Sequence, residues 1–197
     1  MKRNIIFIAF LFAIFSVSLF AQDAIKENPV IEVEDTEPTY KMNQAGEQYL
    51  GVKLDLNIPY RPLTKLKLGG SGSLGYHYYI FDNVTIGGNI SFAYSTTIGN
   101  NVFYFVPFMF SVGYDFSVGN LEIPLNLEIG AAMQNYKDRT YFGLAVRPEV
   151  GFFYRYNHDW SIGVQTGLYI LPQWYKNSEY NYTGLIHDVG LSARYHF

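Results

Sequence analysis

Val84-Thr85-Ile86-Gly87-Gly88-Asn89-Ile90-Ser91-Phe92-Ala93-Tyr94-Ser95 alternates between two kinds of residue. Val84, Ile86, Ile90, Phe92 and Tyr94 fall on one face, and Thr85, Gly87, Asn89, Ser91, Ala93 and Ser95 on the other. A period of two is the signature of a β-strand whose faces meet different surroundings. The second face decides the fold. It carries no charge, which makes it a poor surface to show to water. Small and polar groups do suit the inside of a narrow barrel, which at eight strands has a radius of roughly 8–9 Å and is filled by side chains. The bulky face then points outward, towards lipid.

The same alternation runs outward from this stretch in both directions. Leu50, Val52, Leu54, Leu56 and Ile58 oppose Tyr49, Gly51, Lys53, Asp55 and Asn57, and a second strand spans about Leu66 to Ile80. Beyond Ser95, bulky faces recur as Tyr104 to Phe116, Leu121 to Ile129, Phe142 to Tyr154, Trp160 to Ile170 and Val189 to Phe197. In the fourth strand the opposite face holds Phe103, Phe105, Pro107 and Met109, again unsuited to water. Connections near Asp82-Asn83, Ser117 to Asn120 and Asn157 to Asp159 are tight and rich in turn formers. Those near Pro59 to Lys65, Thr96 to Asn101, Asn135 to Thr140 and Pro172 to Tyr182 read as mostly longer and more varied. The predicted fold is all-β, an eight-stranded antiparallel up-and-down transmembrane β-barrel with a short-turn rim and a long-loop rim. Tyr94, Tyr104, Tyr114, Phe116, Tyr154, Trp160 and Tyr195 lie near strand ends, where interfacial girdles belong.

Composition agrees. The chain of 197 residues is 49% hydrophobic but only 16% charged, against the usual ~25% of a soluble domain. A surface that mostly touches lipid needs little charge. The formal charge of -3 gives no support for nucleic-acid binding, which requires a basic surface. With no cysteine, disulfides, thiolate metal sites and cysteine nucleophiles are excluded.

Lys2 and Arg3 precede the apolar run Ile5 to Phe15, and Ala21 precedes Gln22, the pattern of a secretory signal peptide over residues 1–21. Residues 22–46 read as a flexible acidic lead-in, with Asp23, Glu27, Glu32, Glu34, Asp35 and Glu37 against Lys26 and Lys41, and with Pro29 and Pro38. The barrel occupies 47–197. This organisation sends the chain to the cell outer membrane.

On these residues the chain resembles the small eight-stranded outer-membrane barrels of the OmpA transmembrane-domain and OmpX type. The resemblance covers Glu47 to Phe197 and includes the terminal aromatic. In that family the last strand is read by the barrel-assembly machinery, which implies that Tyr195 and Phe197 form the signal. Ser192 stands where the family commonly has glycine, with Gly190 two positions earlier. The implied surroundings are outer-membrane lipid and lipopolysaccharide. The implied role is structural or surface-interactive, without catalysis. A narrow pore for small solutes or ions is the alternative, and a soluble secreted ligand-binding barrel the third.

Lys53, Asp55, Asp115, Glu122, Glu128, Arg147, Glu149, Arg155, Asp188 and Arg194 all fall on the inward face. Mixed signs in a confined lumen suggest neutralising pairs, because an unpaired buried charge is costly. No histidine stands two residues from a serine along one strand face, no cofactor loop occurs, and no pair of histidines has metal-ligand spacing. His158 lies in a tight turn, and His77 and His187 are placed near the long-loop rim. No catalytic, cofactor or metal residue is assigned. The 172–182 loop, with Trp174, Tyr175, Tyr180 and Tyr182, reads first as part of the outer interfacial girdle, with binding of an extracellular ligand as the alternative.

Overall fold

The computed structural model describes residues 41–60, 66–137, 139–174, 179 and 181–197. The signal peptide and most of the acidic lead-in lie outside these residues, as do Tyr175, Lys176 and Tyr180 of the last loop. Eight strands follow in order: β1 (Gln48–Pro59), β2 (Gly69–Phe81), β3 (Val84–Thr96), β4 (Val102–Val118), β5 (Leu121–Tyr136), β6 (Arg139–Arg155), β7 (Trp160–Gln173) and β8 (Tyr182–His196). Each pairs antiparallel with its sequence neighbour, and β8 returns to β1 from Tyr49↔His196 to Pro59↔Ile186, closing the barrel. Closure removes every exposed sheet edge.

Burial follows the alternation. Along β3, Thr85, Asn89, Ser91, Ala93 and Ser95 are buried while Ile90, Phe92 and Tyr94 are exposed. Leu54 in mid-β1 is 69% exposed and Lys53 beside it 6%. This barrel turns most of its large apolar side chains outward and most of its strand-borne charges inward.

The tight turns are built as their residues require. Asn83 (φ 64°) and Gly119 (φ 58°) occupy the left-handed region at the β2–β3 and β4–β5 turns, where asparagine and glycine are best tolerated. The opposite rim departs from expectation. The β5–β6 ladder continues to Tyr136↔Arg139, leaving only residues 137 and 138 between the strands, so this connection is short rather than long. The β3–β4 connection, residues 97–101, is also compact, bridged to the β1–β2 segment by Leu66↔Thr97. The reason is pairing: Tyr136 and Arg139 stay in register, so backbone hydrogen bonds extend the hairpin to its tip.

Candidate functional site: the barrel lumen

The lumen is stacked in three layers, because each strand contributes an inward residue every second position. The layer towards the long-loop rim is apolar, made by Ala93, Phe103, Phe105, Met109, Ala132, Ala145, Tyr169, Leu171 and Ile186. Phe105 meets Tyr169 edge-on at 5.2 Å. Above them Gln173 donates to Gln134 at 2.7 Å.

The middle layer is charged. Lys53 Nζ lies 2.8 Å from Glu149 and 3.7 Å from Glu128. The Arg147 guanidinium bonds Asp188 through Nε and Nη2 and reaches Glu128 at 3.3 Å and Glu149. It also lies 5.0 Å over the Tyr169 ring, joining this layer to the apolar one. Asn89, Asn126 and Gln165 donate amide hydrogens to Glu128 and Glu149.

The third layer fills the short-turn mouth. Arg155 Nε bonds Glu122 at 2.7 Å, and Arg194 stands 3.8 Å from both Asp115 and Glu122. The Arg194 guanidinium is held between the Tyr49 and Phe153 rings, at 4.7 and 3.8 Å. Tyr79 donates to Asp115. Close approach here needs glycine: a Cβ on Gly87 would run into the His77 ring, which stacks on Tyr49 at 4.6 Å.

A segment before β1 closes this mouth. Asn43 is fully buried at positive φ, and its Oδ1 accepts from Tyr79 and from Arg155 at 2.9 and 2.8 Å. Its Nδ2 donates to Ser117, and its carbonyl accepts from the Asn83 amide. The boundary drawn at residue 46 therefore crosses an ordered segment, since residues 41–46 dock on the short-turn rim. Sequence reasoning missed Asn43. The one signal was Met42 to Gly46, a charge-free break in a strongly charged stretch.

Outside the mouth Lys41 bonds Asp82 at 2.6 Å, and Asp82 also accepts from the Ala45 amide. The Lys41 hydrogen bond, then that of Ala45, holds the Asp82 carboxyl below its ordinary value. Its contribution is therefore present above the unfolded carboxyl value of about 3.9 and lost as pH falls through the lower folded value. Lys41→Met should return Asp82 towards the ordinary value in an NMR titration. An unchanged titration would contradict this contact.

All ten ionisable side chains assigned to the inward face are buried, and the ladder brings nine of them into ion pairs, Asp55 being the exception. The placement of His77 is corrected. It pairs with Tyr49 at the start of β1, which puts it towards the short-turn rim. The stagger between strands sets height along the axis, and periodicity does not encode it. His187 faces outward, where its Nε2 meets Thr166 Oγ1 at 2.6 Å and its ring stacks with Tyr60. His196 meets Ser161 at 2.9 Å. Both pairs cross strands, so spacing along one strand could not show them. Thr166 also donates to the Asp188 carbonyl, and among the described residues His196 Nδ1 has no hydrogen-bond partner. Among the described residues no group of three His, Cys, Asp or Glu side chains could hold a metal ion.

A protein-family model matches residues 26–195. An uncharacterized protein of Treponema pallidum (strain Nichols) is 39% identical over 99 residues, 50% of this chain and 45% of that protein. The chain thus spans less than half the length of that relative. An uncharacterized protein of Borreliella burgdorferi is 28% identical over 151 residues, 62% of this chain and 71% of that one. Among solved structures, Neisserial surface protein A matches with a TM-score of 0.65 at 10% identity, covering 76% of this chain and 98% of its own. The outer membrane protein OprG from Pseudomonas aeruginosa matches at 0.51 and 9%, covering 79% and 97%. At these identities the likeness is one of fold. The chain belongs to the family whose model spans residues 26–195, and it is built on the fold of the small eight-stranded outer-membrane β-barrels.

Proposed function

We propose that this chain is an integral outer-membrane β-barrel with a structural or surface-interaction role and no catalysis, of the OmpA and OmpX type. The observation that carries the reading is the inverted distribution of side chains. Leu54, Ile90, Phe110, Leu127, Ile162 and Leu191 face outward around the wall, while ten ionisable groups face inward. A soluble secreted barrel would need the reverse.

The filled lumen favours a structural barrel over a pore. An ion path would have to cross the apolar layer of Phe105, Met109, Tyr169 and Leu171, the ion-paired layer and the Asn43 closure. Purified protein in planar bilayers should show no current beyond detergent controls. Stepwise conductance would favour the pore reading instead.

The terminal residues support recognition by the barrel-assembly machinery. Phe197 and Gln48 exchange backbone hydrogen bonds at 3.0 and 3.1 Å across the β8–β1 seam, and the Phe197 ring stacks on Tyr195 outside the wall. Deleting Phe197 should lower the yield of assembled barrel in cells. Unchanged insertion would remove the terminus as a signal. The outer-leaflet partners we propose are lipid and lipopolysaccharide along the wall, with an extracellular ligand near Trp174 and Tyr182, both exposed at the long-loop rim.

A further inference from the structure

The outer face of β7 and β8 is apolar along Ile162, Val164 and Leu168 on one strand and Val189 and Leu191 on the other. Thr166 and His187 interrupt it. His187 stands on β8 opposite Leu168 and Ile58, on the same outward face as Tyr195. At ~3.3 Å per residue and a strand tilt of ~40°, the two lie about 20 Å apart along the barrel axis. Tyr195 packs against Trp160 at the short-turn girdle, so His187 sits near the opposite border of an apolar band ~25 Å tall. An imidazole there is costly unless its nitrogens find partners.

The hydrogen bonds fix its tautomer. Thr166 has one hydroxyl hydrogen, which goes to the Asp188 carbonyl at 2.9 Å, a group that can only accept. At 2.6 Å from the same hydroxyl oxygen, His187 Nε2 is therefore the donor. With the proton on Nε2, the neutral ring offers Nδ1 as an acceptor. Among the described residues Nδ1 has no partner. The ring is also stacked on Tyr60, 6.1 Å between centroids and 15° between planes, which holds its orientation.

Both rings line an open groove in the wall together with Pro148, Val150, Thr166 and Leu168. The short Pro148 and Thr166 side chains leave a hollow between longer neighbours. Val150 and Leu168 give it apolar walls suited to an acyl chain, and His187 and Tyr60 give it a polar end. A phosphate oxygen accepts hydrogen bonds and gains nothing from Nδ1. A hydroxyl or an ammonium can donate. The Tyr60 ring, 48% exposed, favours the ammonium, because its π face attracts a cation.

We propose that this groove seats one bilayer lipid with a primary ammonium headgroup, of the ethanolamine class. An N–H of the headgroup donates to His187 Nδ1, its charge lies against Tyr60, and one acyl chain follows Val150 and Leu168. The proposal rests on the outer-membrane reading and gives that wall one specific lipid site.

The test uses the full chain folded into nanodiscs of equal phosphatidylethanolamine and phosphatidylcholine with the same acyl chains. The two lipids share the phosphate and a positive nitrogen, and only the first carries N–H. Native mass spectrometry of the released protein should show one retained lipid. Phosphatidylethanolamine should be enriched roughly tenfold or more, the ratio that one hydrogen bond to a charged group supplies. His187→Phe keeps a ring on Tyr60 but removes both nitrogens, and it should bring the ratio to one. Thr166→Val, which frees the tautomer, should lower it. Equal retention of the two lipids by the wild type, or an unchanged ratio in His187→Phe, would overturn the site and leave the outer-membrane barrel standing. A chain that inserts into vesicles of neither lipid would overturn the outer-membrane reading as well.

Discussion

Arg147→Ala should destabilise the folded barrel by about 3–5 kcal/mol, the usual cost of removing one partner from a buried ion pair. Arg147 serves three acids at once. Its Nη1 lies 3.3 Å from Glu128 and also meets Glu149, while Nε, at 3.1 Å, and Nη2 bind Asp188. Truncation takes away the Asp188 ion pair, leaves Lys53 to face Glu128 and Glu149, and also removes the guanidinium from the Tyr169 ring. Arg147→Lys should recover part of the loss, because an ammonium keeps the charge without the planar fork that spans Asp188. Urea unfolding of the three proteins in one detergent or lipid would rank them wild type, Lys, Ala. An alanine variant as stable as wild type would show that the network does not hold the lumen.

The second large effect lies on the outer face and depends on depth. Ile90, in mid-β3 and 45% exposed, should tolerate arginine badly, at about 2–4 kcal/mol near the bilayer midplane. Val118, 75% exposed at the short-turn end of β4, should tolerate the same change at about 0–1 kcal/mol. In water the order would have no reason to hold, since both side chains are surface positions. Folding free energies in lipid vesicles give the comparison directly. Equal costs at the two sites would argue that no hydrocarbon surrounds the wall.

The faces were legible because a strand's side-chain period is fixed by backbone geometry alone. Every inward ionisable residue from Lys53 to Arg194 could be assigned by parity within its strand. Height was not legible. The stagger of β2 against β1 decides that His77 meets Tyr49, and nothing in either strand's alternation records it. Partners were hidden for the same reason: Arg147 and Asp188 are 41 residues apart, Arg155 and Asn43 are 112 apart, and only barrel closure brings them together. The Asn43 closure also disobeys the rule used to find the barrel, since it comes from an irregular segment before the first strand. The β5–β6 tip was misread because turn-like residues at 135–140 are overridden by the ladder pairing on either side.

The most direct test returns to residues 84–95. The chain has no cysteine, so single cysteines can be placed along β3 and spin-labelled in the protein folded into bilayers. Collision with oxygen, which partitions into lipid, and with a water-soluble nickel chelate can then be read at each position. Oxygen access is expected at 86, 88, 90, 92 and 94, and access to neither reagent at 85, 87, 89, 91 and 93. Nickel access at the first set would contradict a lipid-facing wall, and nickel access at the second would contradict a filled lumen.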